Sequence, residues 1–252
     1  MSQRELENKK ILERIKHIHK ESRGSYGSPR ITQELHKENL IVSRPRVARL
    51  MRKNKICAKT KRKFKVTTNS DHRLPISPNL LQQNFTVNQP NKVWVSDITY
   101  IPTRKGWLYL TVIIDLYNRQ VVGWAMSNNL HASSTTIPAL KHAYHRFRPS
   151  TDLIFHSDRG VQYACKEFRK MLALFQMVQS MSGKGNCYDN AVAESFFGTL
   201  KKELIYHHTY ETRLIAKQSI FEYIEIFYNR KRIHSFLGNM SPVQFLKFNK
   251  AA

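Results

Sequence analysis

Acidic side chains are scarce in this sequence. Its 252 residues hold 18 Asp and Glu against 42 Lys and Arg, a formal net charge of +24 with a pI near 10.2, so the expected partner is a polyanion. Cysteine is scarcer still. Cys57, Cys165 and Cys187 form an odd set without CxxC spacing, and a chain of this length buries a core without staples, so a disulfide-built miniprotein is excluded. The start MSQRELENKK lacks an apolar signal core, which predicts a reducing, cytoplasmic and nucleoid-associated location. No apolar run approaches the ~18 residues of a membrane span, and no amphipathic anchor accompanies the basic charge. A disordered polycation is excluded by 41% hydrophobic and 11% aromatic content.

The charge is uneven. Residues 1–73 carry 21 basic and 7 acidic side chains, and residues 44–65 carry 11 basic and none acidic. Such a density repels itself unless phosphate neutralises it. Ile11, Leu12, Ile15 and Ile18 recur at helical steps. A glycine-broken turn follows, with Ser28 as a cap and Pro29 opening a second helix over 29–36. Ser43 caps a third, in which Val47, Leu50 and Met51 face inward and Arg46, Arg49, Arg52 and Lys53 face outward. Three short helices ending in a basic one predict a helix-turn-helix-like DNA-binding domain over 1–65.

Residues 66–91 are polar, hold three prolines and lack a period, which reads as a linker. Composition then changes abruptly. KVWVSDITYIP, LYLTVIIDLY and QVVGWAMS predict an antiparallel meander. A helix over 133–147, the strand DLIFHS, a helix over 165–174, the strand FQMVQS, the loop MSGKGN and helices over 189–204 and 211–228 follow. This order predicts an α/β fold, a ribonuclease H-like mixed five-stranded sheet flanked by helices over 92–230. Residues 231–252 are left as a basic tail.

Three of the 11 acidic residues beyond the linker have settings suited to chemistry. Asp97 lies inside an apolar strand, where an unpaired carboxylate is costly. Asp158 follows a strand and precedes a glycine turn, a usual location for α/β sites. Glu194 sits on the helix after the glycine loop. Asp115 closes a strand, Asp152 opens one and Asp189 suits a helix cap. In the expected sheet the strands of Asp97 and Asp158 are neighbours, and a three-carboxylate pocket suits Mg²⁺ or Mn²⁺, with two ions serving an in-line phosphoryl displacement. Lys201 is two helical turns beyond Glu194 on the same face.

WVSDITYI, IIDLYNRQVVGW, HSDRGVQY and GNCYDNAVAESFFGTLKKEL, with thirty-five residues between Asp158 and Glu194, resemble the DDE transposases of bacterial insertion sequences, in particular the OrfB-type catalytic proteins of the insertion-sequence-three family, relatives of retroviral integrases. YGSPRI and YNRKRIHSFLGNMSPVQF resemble the family's N-terminal and C-terminal signatures. The resemblance implies Asp97, Asp158 and Glu194 as catalytic metal ligands, Lys201 as a contact to the element's end, and two phosphoryl transfers. In these, water cuts the end and the freed 3′-hydroxyl then attacks another strand. Because two ends must be joined, a homodimer or larger DNA-bound assembly is expected, and the resemblance implies a partner product of an upstream reading frame. His17, His19, His36 and Cys57 lack the zinc-module spacing of retroviral integrases, so no zinc is expected.

Further DNA contacts are expected from Arg159, Lys184, Asn186, Arg230 and Arg232, with Tyr188, Asn190 and His234 nearby and His156, Gln162 and Tyr163 flanking Asp158. Trp94, Trp107 and Trp124 are expected in the core. A nuclease that hydrolyses without joining and a non-catalytic DNA-binding regulator remain the alternatives to a transposase.

Overall fold

The computed structural model describes residues 2–59, 74–183 and 187–251. Residues 60–65 of the basic stretch, the first part of the linker, Lys184 and Asn186 lie outside the described residues, as does the side chain of Tyr188.

Three helices open the chain: α1 Gln3–Glu21, α2 Ser28–Lys37 and α3 Arg44–Lys53. A capping box closes the start of α1, with Ser2 accepting from the Glu5 amide while Glu5 accepts from the Ser2 amide. Ile11, Ile15 and Ile18 pack against Ile31 and Leu35 of α2 and Val47 and Met51 of α3; Leu50 is half-buried against the same cluster. The expected caps differ in detail. Gly27 holds the N-cap position of α2, with Ser28 and Pro29 in its first turn, and Ser43 precedes α3 without a side-chain capping bond.

The sheet contains β1 Val93–Thr103, β2 Gly106–Asp115, β3 Val121–Ser127, β4 Ile154–Ser157 and β5 Val178–Met181, in the spatial order β3-β2-β1-β4-β5. The first three strands run antiparallel, while β4 is parallel to β1 and β5 parallel to β4. Gly106 turns the first hairpin at φ +97°, a conformation strained for any side chain.

Helices α4 Thr136–Phe147, α5 Val161–Ala164 and α6 Lys166–Leu174 cover one face, burying Trp94, Ile113, Phe155 and Phe168. A Cβ at Gly123 would stand 2.6 Å from both Ala139 O and Ala143 Cβ, so the absent side chain is what lets α4 lie directly on β3. Helices α7 Ala191–Glu203 and α8 Arg213–Phe221 cover the other face. Val95, Val112, Phe196, Leu200 and Ile220 share a continuous core there with the N-terminal helices. A π-helical segment, Glu222–Tyr228, continues α8, and α9 Pro242–Ala251 ends the described chain.

Three expectations are corrected here. Residues 231–251 are not a loose tail: Ile233 and Leu237 are buried, His234 bridges Met240, and the Val243 amide bonds Asn229 O. The described end of the linker is docked along β5, where the Met181 amide donates to Pro78 O and the Leu80 amide to Ser180 Oγ. Trp107 is 51% exposed at the hairpin tip whereas Trp94 is fully buried, because alternation carries Trp107 past the last helix that covers that face. Among the described residues no helix is long and apolar enough to cross a membrane.

A candidate three-carboxylate active site

Sheet register brings the two aspartates together. Ser96 of β1 pairs with Ser157 of parallel β4, so Asp97 and Asp158, one residue beyond each, leave adjacent strands side by side. β1 continues past this point along β2 (Asp97 opposite Val112), whereas β4 ends. The Asp158 carboxylate folds back to accept the Gly160 amide at 3.0 Å. A Cβ on Gly160 would lie 3.0 Å from that same oxygen, a tight contact to which the carboxylate would have to yield. Asp97 Oδ1 accepts the Ile98 amide at 2.7 Å.

Glu194 enters from the first turn of α7, a helix seated on β1 through the buried Ala193, Phe197 and Leu200. Burial, and then the charge of Asp158, push the Asp97 carboxyl well above the usual range; Glu194 adds to this, and the Ile98 amide and Lys201 oppose it. Glu194 is raised by desolvation and by Asp158. Burial lowers the half-buried Lys201 and Asp97 raises it. Asp97, Asp158 and Glu194 therefore repel one another, and the Lys201 ammonium is coupled to Asp97.

The surrounding residues brace this site. His156 is buried, with Nδ1 2.8 Å from Ser180 Oγ and Nε2 3.3 Å from Ser182 Oγ. Burial pushes it down to about 4, so it is a neutral strut rather than a phosphate ligand. Arg159 Nε donates to Ser182 O at 2.6 Å. Asn190 Nδ2 donates to Ser96 O at 3.1 Å, and its buried Oδ1 has no hydrogen-bond partner among the described residues. Asp189 accepts from Asn79 Nδ2 and the Gly183 amide, and Asp115 from the Asn91 and Tyr117 amides. Both are structural, and Asp152 stands exposed in a turn.

The expected DNA-facing cations divide. Arg49, Arg52, Lys53 and Arg230 are exposed, while Arg46 is tied to Asn8 at 2.9 Å and Glu7 at 3.1 Å. Arg232 is not a surface cation: it is 5% exposed and its guanidinium forks onto Glu203 at 2.8 to 3.1 Å. Glu203 itself escaped the sequence reading, although its position three residues after Leu200 and seven after Phe196 places an acid on the apolar stripe of a helix.

Family models agree with this architecture. The chain matches an HTH-like domain over residues 5–64 and integrase core domains over 87–187 and 194–248. It is 42% identical to the transposase for insertion sequence element IS904 of Lactococcus lactis, covering 98% of each chain. Identity is 43% to the InsF transposase for IS3A of Escherichia coli, over 91% of this chain and 80% of that one. A 31 kDa protein of insertion element IS600 from Shigella sonnei is 46% identical over 97% and 89% of the two chains. The chain belongs to the IS3-family transposases. The fold of this transposase is also that of a chain in the simian T-cell lymphotropic virus intasome, solved with the PP2A regulatory subunit B56 gamma, at a TM-score of 0.52 and 15% identity over 87% of this chain and 74% of that one. As a family member it is a polynucleotidyl transferase acting on DNA.

The site's donors are carboxylate oxygens, the set preferred by hard divalent cations. Among the described residues no three His, Cys, Asp or Glu side chains are drawn close enough to cage an ion. The donor chemistry fits such a cation, and the mutual repulsion of the acids is what a cation would relieve.

Proposed function

We propose that this transposase cuts the ends of its insertion sequence and joins them to target DNA, with Asp97, Asp158 and Glu194 as the catalytic triad holding Mg²⁺ or Mn²⁺, two ions in the full complex. The observation that supports this is the Ser96–Ser157 register, which sets Asp97 beside Asp158 under a helix that adds Glu194 and Lys201. When bound, the ions supply activation of the attacking oxygen and stabilisation of the leaving one in an in-line displacement.

The protein's own groups do the rest. The three acids hold negative charge at the point where the scissile phosphate arrives, which makes the metal-free site repel DNA and the loaded site accept it. Lys201 offers a cation to the incoming phosphate from the same face of α7 as Glu194. Exposed Arg49, Arg52 and Lys53 on α3 contact duplex phosphates, a salt-dependent grip, joined in the DNA complex by Arg46, Arg159, Lys184, Asn186 and Arg230. Water is the first nucleophile and the freed 3′-hydroxyl the second, so no covalent protein intermediate forms. Because two ends are joined, the working species is a dimer or larger assembly on DNA, completed by the product of an upstream reading frame.

The test is a strand-transfer assay with the element's own labelled end, Mg²⁺ or Mn²⁺, and Asp97→Asn, Asp158→Asn and Glu194→Gln alongside. Joined product from the wild type and none from the variants, with end binding retained, is expected. Cleavage without joining would favour a nuclease. Binding with no metal-dependent product would favour a regulator.

A further inference from the structure

Two signature segments, YGSPRI near the start of the chain and YNRKRIHSFLG near its end, meet in space. Tyr26 is 3% exposed; its hydroxyl accepts the Ile233 amide at 2.8 Å and donates to Lys231 O at 3.4 Å. Arg30 stands over the Tyr26 ring at 5.4 Å and reaches to 3.7 Å from Glu203 Oε1. Glu203, the last residue of α7, is gripped by the Arg232 fork and accepts the Tyr223 hydroxyl at 2.7 Å. An Arg23–Glu222 ion pair and a 2.9 Å bond from Lys37 Nζ to Asn239 O widen the contact. One buried carboxylate at the end of α7 thus binds a guanidinium from the C-terminal segment directly and one from the N-terminal domain at longer range.

We propose that Tyr26 and Arg30 are positioning residues for the chemistry: through Glu203 they fix the setting of α7, so that docking of the N-terminal domain orients Glu194 and Lys201. The inference rests on the triad assignment above. Glu203 lies nine residues after Glu194, about half a turn away around the helix axis, whereas Lys201 shares the face of Glu194. The helix is therefore clamped on one side and works on the other. A turn of roughly 20° about its axis would carry a carboxylate ~2 Å off line, and a 1 Å misplacement can cost about 100-fold in rate. The N-terminal end of α7 is tied to β1 by the Asn190–Ser96 bond, and the Glu203 clamp fixes its other end.

The test uses the full chain with Arg30→Met, Tyr26→Phe and the conservative Arg30→Lys. Three quantities are measured: melting temperature, affinity for the labelled end, and the single-turnover strand-transfer rate at saturating DNA. Arg30→Met and Tyr26→Phe should lower that rate at least about tenfold while end affinity stays within about threefold, and Arg30→Lys should restore part of it. A purely structural contact would shift melting and affinity but not the rate of the saturated complex. Rates within twofold of wild type in both variants, or losses that vanish once DNA saturates, would overturn the proposal. Should either variant fail to fold, the other decides, because Arg30 is partly exposed and Tyr26→Phe removes a single hydroxyl. Wild type and Asp97→Asn run in parallel, with the upstream reading-frame product supplied to each: strand transfer retained in Asp97→Asn would instead refute the triad reading.

Discussion

The Tyr163 hydroxyl lies 2.8 Å from Ser96 Oγ, joining the residue before Asp97 to the helix that follows Asp158. Ser96 donates its own hydroxyl hydrogen to Val112 O at 2.8 Å, so Tyr163 is the donor. Both are buried, and burial together with the charges of Asp97 and Asp158 raises the phenol well above its usual range. Tyr163→Phe should cost about 1 kcal/mol of stability and slow strand transfer severalfold without weakening end binding. A denaturant titration beside the transfer assay checks this; lost stability at full rate would leave Tyr163 a packing residue only.

Repulsion among the three carboxylates makes the metal-free site a source of instability. Asp97→Asn should melt higher than wild type in EDTA, by a few degrees. Added Mg²⁺ or Mn²⁺ should raise the wild-type melting temperature in a concentration-dependent way, because a ligand of the folded state stabilises it. In Asp97→Asn that rise should shrink or disappear. Thermal scans across a metal titration report both, and an equal metal response in the two proteins would remove Asp97 from the ligand set.

Exposed and buried arginines should separate cleanly. Replacing Arg49, Arg52 and Lys53 with Gln should weaken end binding and reduce the slope of log affinity against log salt by about 2 to 3, at ~0.9 per lost phosphate contact. Arg232→Gln should instead leave the buried Glu203 with only the Tyr223 hydroxyl and the more distant Arg30 and cost about 3 kcal/mol, with the salt slope of the folded fraction unchanged. Equilibrium binding at four salt concentrations distinguishes the two classes.

His234 supplies an acid-sensitive element. Burial pushes its imidazole down to about 2, and Arg232, Arg30 and Arg119 push the same way. The unfolded chain takes up the proton near the ordinary value of about 6.5. Stability from keeping His234 neutral is therefore complete above that pH and is lost as pH falls toward the folded value. Asp115, raised to about 6 mainly by burial, works oppositely, since its protonated form favours the fold below that pH. The difference between wild type and His234→Gln isolates the histidine: the variant should show a shallower loss of stability between pH 6 and 4. Parallel curves would assign the acid limb to other groups.

Much of the fold was legible because its signals are local. Apolar β-branched runs marked the strands, and helical spacing of Ile11, Ile15 and Ile18 marked the first helix. Asp97 stood out because it is a lone charge within an apolar strand, and Asp158 because it follows a strand and precedes a glycine turn. Arg232 misled because a cation in a basic run carries no mark of its partner, which lies twenty-nine residues earlier in the chain at Glu203. The C-terminal segment likewise folds through non-local bonds such as Val243 to Asn229 O, invisible to periodicity. Trp107 and Trp94 look alike as strand residues, and only the extent of the covering helices distinguishes exposed from buried.

β1 is the middle strand of five, bonded to β2 along one edge and to β4 along the other. A central strand exchanges its amides near the free energy of global unfolding, whereas a helix on the sheet's surface opens through smaller fluctuations, so slower exchange is expected in β1 than in α7. The site thus resembles a vice with one cast jaw and one adjustable jaw. Variation that retunes activity has room on the side of α7, and the sheet side leaves almost none.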